Sequence, residues 1–435
     1  MSTPLRVGIA GLGTVGATTF QLLSEHAALV AARAGRPIQV AAVSARDRTR
    51  NRGIDLSESR WCDAPKALTE DPEIDAVVEL IGGADGIAQE LCEQAIAHGK
   101  HVVTANKALI AHHGTALATA AEAAGVALGF EAAVAGGIPI VKALREGLAA
   151  NAIQRVYGIL NGTCNYILSA MDHAVSEGKE SDFAATLAEA QRLGYAEADP
   201  SFDVDGIDTA HKLAILTGLA FGCPLDFAAV HIEGIRAING VDIGFARELG
   251  YKIKLLGIAG LTEGGVEQRV HPSMVPLANP IAHVDGVFNA VVAHGDHVDR
   301  ALFEGRGAGG GPTASAVVAD LIDIARGLRP PSFSIPAAEL SRLATVPIEK
   351  RRGAYYIRLM VLDRPGVIAD VTACLRDHQV SMEAMLQRAR APGEAVPVVM
   401  TTHETVEASM RHALTQIAAL DSVLEPPHMI RIEHL

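Results

Sequence analysis

Aromatic residues make up only 4% of the 435-residue chain, and there is a single tryptophan. A core built on large rings is thereby excluded. With 49% hydrophobic residues, the buried volume must come from Ala, Val, Ile and Leu, which suits a parallel α/β sheet. Cysteines number five, an odd count, and Cys62, Cys92, Cys164, Cys223 and Cys374 form no CxxC pair. That argues against a disulfide framework and predicts a reduced, cytoplasmic protein. The 17 histidines include no HExxH and no Cys/His zinc spacing. His112-His113 and His294/His297 read as surface or helix-end residues. Positive charge is also scarce: 37 Lys+Arg face 50 Asp+Glu, a net charge of -13. Neither nucleic acid nor an acidic membrane is expected as a partner, although a local pocket can still hold an anion. Long uninterrupted apolar runs are missing too. Glu122, Glu131 and Lys142 break the Ala-rich stretch from Leu117 to Leu144. The apolar run after Arg6 leads into a helix with Gln21 and Glu25 rather than to a signal-cleavage site.

What is present is a regular alternation. At roughly 100–200 residues per domain, the length suggests two to four domains. Strands are predicted at Leu5–Ala10, Ile38–Ser44, Ala76–Ile81, His101–Thr104 and Val126–Phe130, with helices between them. This alternation implies βαβ crossovers and a doubly wound sheet. From Gly136 the pattern changes to a helix at Pro139–Ala149, a strand at Arg155–Leu160, a long helical region and a Pro- and His-containing segment, His271–Pro280. A glycine-rich turn, Gly305–Pro312, precedes a helix at Thr313–Gly327 able to return to the first domain. Prolines 330, 331, 336 and 347 and the basic run Lys350-Arg351-Arg352 mark a linker. The last residues read β-α-β-β-α-β, a ferredoxin-like order, with strands Tyr355–Leu362, Val380–Arg388, Val396–Thr402 and Met429–Ile432 and helices Val367–Asp377 and Val406–Ala419. The expected fold class is α/β, with a Rossmann sheet in 1–135 (305–328 returning to it), an α+β catalytic and dimerisation domain in 136–304, a linker in 329–353 and a ferredoxin-like domain in 354–435.

Gly11-Leu12-Gly13-Thr14-Val15-Gly16 is a GxGxxG turn between a buried strand and an Ala/Thr/Leu helix. Gly11 allows the tight turn, Gly13 lets the backbone approach a pyrophosphate, and Gly16 lets helix and strand pack closely. The free N–H groups and positive end of the helix then face the phosphates. An NAD site usually places an acid at the end of the second strand. Here that segment reads Val43-Ser44-Ala45-Arg46-Asp47-Arg48. Either Arg46 pairs with a 2′-phosphate, favouring NADP with NAD still possible, or Arg46 and Arg48 are a solvated loop. Gly82-Gly83 after the third strand, and Thr104-Ala105-Asn106-Lys107 after the fourth, face the crevice where ligands bind such sheets. Lys107 is functional there or a plain surface lysine.

A second concentration of chemistry lies in Gly194–Lys212. Asp208 and Lys212 stand at i and i+4 on one helix face, with Asp205 one turn earlier. N-capping acids with a helix ion pair would explain the pattern. So would carboxylates that hold a cationic substrate beside a lysine that transfers a proton. Hydride transfer at a C–OH/C=O pair needs such a group. A lysine near pKa ~10.4 is a good acid and a poor base, a second lysine would lower it, and Asp208 would raise it.

These segments, with Gly158–Tyr166 and Gly305–Ala316, closely resemble homoserine dehydrogenase over nearly the whole chain. The resemblance implies reversible NAD(P)-dependent reduction of L-aspartate 4-semialdehyde to L-homoserine, in threonine and methionine biosynthesis. It implies Lys212 as the proton donor, Lys107 beside the reacting group, Glu197 and Asp208 as homoserine ligands and Asp203 in support. Gly194 and Gly307 would join Leu12, Thr14 and Val15 around the cofactor. A monovalent cation, usually sodium, would sit on Glu131 and the carbonyls of Val134, Gly136 and Ile138, hard oxygen donors suited to it. Cys164 stands where the family more often has Thr, and a small thiol should fit.

Met360–Val371, which contains Asp363, Pro365, Gly366 and Val367 as the expected regulatory residues, resembles an ACT domain. Gly366 would free a helix start for an amino-acid carboxylate. L-Threonine is then the expected effector, and a dimerising domain without a ligand is the alternative. A homodimer or homotetramer is implied. The cofactor strand opens the chain, as expected of the monofunctional form. A 2-hydroxy-acid dehydrogenase with an ACT domain would need a histidine–carboxylate relay, whereas lysines and carboxylates converge here. An amino-acid sensor on an inactive Rossmann scaffold would not need Lys107, Glu197, Asp208 and Lys212.

Overall fold

The computed structural model describes residues 3–388 and 391–435. The N-terminal strands are β1 (Leu5–Ala10), β2 (Ile38–Ser44), β3 (Arg60–Cys62), β4 (Ala76–Glu79), β5 (His101–Thr104) and β6 (Leu128–Gly129). They form one parallel sheet in the order β3-β2-β1-β4-β5-β6. The chain direction across the sheet reverses between β1 and β4, which opens a crevice at their carboxyl ends. Both faces are dry. Val7, Ile9 and Val78 pack with Phe20, Leu23 and the returning helix Gly310–Ala325 through Val317 and Leu321. Val77 and Val102 pack on the opposite side with Leu91, Ala95 and Leu109. The strand Arg60–Cys62, three residues on an edge, is too short to show a period of two and was not expected.

The middle region supplies β7 (Ile153–Ile159), β8 (His231–Ile232), β9 (Tyr251–Thr262), β10 (Gly265–Pro276), β11 (Phe288–Gly295) and β12 (Asp299–Arg306). The β9–β10 hairpin corrects the expectation of a long helical region leading up to the segment His271–Pro280, which begins inside β10. Its strands are covered on both sides, so their apolar runs do not alternate. Pro272 lies inside β10, where a proline supplies no N–H to the ladder. It is tolerated because β8 pairs with β10 at Arg269 and Val270, and the next partner strand only at Ser273 and Met274. The helix expected over 139–149 is helical from Ile140 to Gly147, with a π-helical segment at Ala143–Gly147.

The C-terminal strands are β13 (Arg352–Leu362), β14 (Met382–Leu386), β15 (Ala395–Thr402), β16 (Thr405–Val406) and β17 (His428–Ile432). Their order β17-β13-β15-β14 is that of a ferredoxin-like fold, backed by helices Val367–Asp377 and Glu407–Ala418. This sheet does not stand apart. Strand β17 pairs in parallel with β10, so one sheet of 11 strands runs through both regions. Residues 329–353, expected as a linker, form an anchored strap. Phe333 is fully buried, the Ala337 N–H donates to Glu122 (2.7 Å), and Thr345 bridges to Val266.

Candidate active site

The cofactor turn is built by what its glycines leave out. Gly11 closes β1 at φ 99°, and a Cβ there would lie 2.3 Å from the Leu80 carbonyl oxygen. A Cβ on Gly16 would lie 1.9 Å from the Gly11 carbonyl oxygen, so helix and strand approach only without one. Gly13 faces open space and caps helix Thr14–Glu25 with no side-chain acceptor, leaving its first N–H groups for an anion. That cradle fits a dinucleotide pyrophosphate. The Leu12 side chain is buried, so only its backbone can face a cofactor, while Thr14 is exposed and Val15 half-buried. Arg46 stands exposed beyond β2. Asp47 accepts the Thr49 N–H and hydroxyl (2.8 and 2.7 Å), so the acid in this loop is engaged locally.

The ends of β4 and β5 are locked by a buried carboxylate. Glu79 accepts the Ile81 and Gly82 N–H groups (2.7 and 3.0 Å) and the Thr104 hydroxyl (2.6 Å). Thr104 in turn accepts the Asn106 N–H. Gly82 is exposed at the crevice, but the Thr104 side chain belongs to this framework. Asn106 caps helix Lys107–Ala123 and places Lys107 in its first turn.

Lys107 also forms part of the wall of a cleft of about 550 Å³, with Thr163, Gly194, Glu197, Phe202, Asp203, Asp208, Lys212, Asn289 and Gly307. Asp208 lies in the first turn of helix Ile207–Phe221, and Lys212 lies one turn later. The Asp208 carboxylate meets Lys107 Nζ at 2.6 Å and Lys212 Nζ at 2.7 Å. Lys212 also donates to the Leu160 carbonyl (2.7 Å), which leaves one of its three donors for a group in the cleft. Asn161 caps helix Gly162–Ser176 and donates to both Asp203 and Asp208 at 2.8 Å. Thr163 donates to the other Asp203 oxygen (2.9 Å).

Burial would raise the Asp208 carboxyl, but the two ammonium groups hold it well below the usual carboxylate range. Burial and Lys107 outweigh Asp208 at Lys212 and push that lysine down. At Lys107, burial opposes but Asp208 prevails, and the lysine moves up. Two lysines sharing one carboxylate are therefore poised in opposite directions. Lys212 is the one whose hold on its proton is weakened.

Residues 139–322 match the homoserine dehydrogenase family profile, residues 11–131 its NAD-binding domain and residues 355–422 the ACT domain. A homoserine dehydrogenase of Pseudomonas aeruginosa is 47% identical over 439 residues, covering 99% of each chain. The chain belongs to the homoserine dehydrogenase family. It is thus an NAD(P)-dependent oxidoreductase with a C-terminal ACT domain. The homoserine dehydrogenase structure from Thiobacillus denitrificans superposes with a TM-score of 0.92 at 48% identity, covering 99% of this chain and 98% of that one. A hyperthermophilic archaeal homoserine dehydrogenase in complex with NADPH superposes with a TM-score of 0.63 at 26% identity, covering 75% and 99%.

Not every residue expected at the homoserine dehydrogenase site converges there. Asp205 turns away and pairs with Arg236 (2.5 Å). Glu131 is buried, and its carboxylate accepts the Val141 and Lys142 N–H groups, each at 2.9 Å. Burial and neighbouring Asp320 lift it to about 7. Val134, Gly136 and Ile138 are buried beside it. Cys164 is buried with its thiol pushed well up by burial, and it donates to the Asp203 carbonyl (3.2 Å) as a hydroxyl would. In the ACT domain, Gly366 (φ 95°) starts helix Val367–Asp377 without a side-chain cap. Asp363 accepts the Ala391 N–H (2.8 Å), Pro365 is exposed and Val367 is buried.

Four further residues were not singled out from the sequence. Asn161, Thr163 and Glu79 are framework groups, and only Asn161-Gly162-Thr163 carries a local signal, that of a helix cap. Arg52 donates to the Leu12 carbonyl (3.1 Å) in the cofactor turn.

Proposed function

We propose that the cleft interconverts L-homoserine and L-aspartate 4-semialdehyde, with Lys212 carrying the proton. The observation that carries this reading is the Lys107–Asp208–Lys212 triad in the cleft, in which Asp208 and Lys212 are buried and Lys107 is partly exposed. In the oxidising direction, the substrate hydroxyl gives its proton to the neutral form of Lys212. In the reducing direction, the Lys212 ammonium donates to the developing alkoxide. Lys107 adds a second positive charge beside that oxygen. Asp208 serves the substrate by fixing both ammonium groups, and Asp203 holds the loop in place. Glu197, on the exposed rim, takes the α-ammonium.

The nicotinamide cofactor, when bound, accepts or supplies the hydride. Gly11–Gly16 would hold its pyrophosphate, and Gly82, Gly194 and Gly307 would border it. Arg46, supported by the NADPH complex of the archaeal relative, favours NADP. Sodium would rest on Glu131 and the carbonyls of Val134, Gly136 and Ile138. A buried carboxyl lifted by burial and by Asp320 fits a cation there, and the ion would supply fixed positive charge at the domain junction. L-Threonine would bind the ACT domain at Asp363–Val367, where the uncapped helix start offers N–H groups to a carboxylate. The assembly would be a homodimer or homotetramer.

One assay tests the reading: NADPH loss with aspartate semialdehyde, repeated with L-threonine and with sodium replaced by tetramethylammonium. Turnover, inhibition by threonine and a lower rate without sodium are expected. No turnover refutes the assignment of the cleft, no threonine response refutes that effector, and no sodium effect refutes that cation.

A further inference from the structure

Glu233 follows β8 in the catalytic region, yet its carboxylate is gripped from the C-terminal domain. Fully buried Arg431 on β17 donates to both of its oxygens, at 2.6 and 2.9 Å. Arg411 reaches it at 3.3 Å. Glu407, also fully buried, ties the two arginines together, bonding Arg431 at 2.6 and 2.8 Å and Arg411 at 2.8 and 3.0 Å. The backbone just past Glu233 is pressed against the substrate loop. A Cβ on Gly234 would lie 2.3 Å from the Val204 carbonyl oxygen. The Ile235 N–H donates to that same oxygen at 2.8 Å. Val204 is the neighbour of Asp203, and the helix bearing Asp208 and Lys212 begins at Ile207.

We infer that Glu233 is a positioning residue through which the ACT domain sets the substrate side of the cleft. Arg431 and Arg411 fix Glu233, Glu233 fixes Gly234-Ile235, and these hold Val204 and so the Asp203–Asp208 turn. Between Arg431 and Val204 the chain of contacts runs through Glu233, held by Arg431 although its side chain is 35% exposed, and through half-buried Gly234. Burying such charges costs desolvation, and an apolar contact could have joined the domains as firmly. A bidentate arginine–carboxylate pair adds a defined direction, which a positioning role needs. The cofactor turn lies outside this chain of contacts. The effect should therefore fall on homoserine and not on the nicotinamide cofactor. This inference rests on the proposed reading of the cleft, and it gives the ACT domain a physical route to that site.

The experiment compares steady-state kinetics of the full-length parent, Glu233→Gln and Arg411→Ala, with thermal unfolding of each. Turnover of L-homoserine by the parent comes first; its absence overturns the reading of the cleft and this inference with it. For Glu233→Gln the expected result is a KM for homoserine raised about tenfold, with kcat within about threefold and the KM for NADP unchanged. Arg411→Ala, at a partly exposed side chain, should show the same split at about threefold. Glu233→Asp should recover part of the loss, because it keeps the charge. An unchanged homoserine KM in folded Glu233→Gln overturns the proposal. So does a parallel rise in both KM values that tracks the fall in Tm, which would mark Glu233 as a structural tie alone. If Glu233→Gln does not fold, Arg411→Ala decides by the same criterion.

Discussion

Consecutive residues, Gly11 to Gly16, build the cofactor turn, whereas the cleft draws Lys107, Asn161, Glu197, Asp208 and Lys212 from well-separated parts of the chain. The turn works by omission. Its glycines remove side chains so that backbone N–H groups can face an anion, and no titrating group is needed. The cleft works by concentration. It buries a carboxylate between two ammonium groups, where each charge alters the proton affinity of the next. Binding affinity should therefore be sensitive to sterics at the turn, and the rate to charge in the cleft.

The largest effect is expected where that division is sharpest. Lys212→Ala should lower kcat by about a thousandfold or more, since it removes the proposed proton carrier, while fluorescence titration shows nearly unchanged NADPH affinity. Equal loss of both would erase the contrast between the regions. Gly16→Ala is the converse. Its Cβ would meet the Gly11 carbonyl at 1.9 Å. About 1–3 kcal/mol of stability and most of the cofactor affinity should be lost. Crystals or calorimetry showing normal NADPH binding would deny the turn its role. Arg46→Ala should shift the NADP-to-NAD ratio of kcat/KM about tenfold toward NAD, roughly 1.4 kcal/mol. An unchanged ratio would leave Arg46 a solvated loop residue.

The smallest effect concerns pH. His211 stacks on Phe227 (centroids 4.4 Å apart), and burial with neighbouring His112 pushes it down to about 4. As pH falls below the ordinary 6.5, the unfolded chain takes up a proton that the native chain refuses until about 4. Stability from this group is thus present above pH 6.5 and falls as pH drops toward 4. His211→Phe should flatten the Tm-against-pH curve over that window relative to the parent. A parallel curve would show that His211 does not titrate there.

The Rossmann strands were legible to within a few residues because parallel strands buried on both faces read as short apolar runs between helices. The β9–β10 hairpin was not, because continuous apolar runs do not distinguish a covered strand from a buried helix. In the cleft, Asp208 and Lys212 could be paired from their i, i+4 spacing. Asp205 looked equivalent on the same reasoning. Its place at the helix C-cap of Ser201–Val204, before the left-handed Gly206, turns it toward Arg236 instead.

By itself the sequence determined the cofactor turn, the helix face that carries Asp208 and Lys212, and the succession of strands and helices in the C-terminal domain. All three depend on spacings of a few residues, where backbone geometry links sequence to position directly. Only the tertiary structure decided that Lys107 meets Asp208 across a domain boundary, that Thr104 serves the framework, and that the C-terminal sheet continues the catalytic one. Those contacts join residues roughly a hundred or more positions apart in most cases. No local spacing encodes such a distance, and it is settled only when the sheets pack and each buried charge finds its partner.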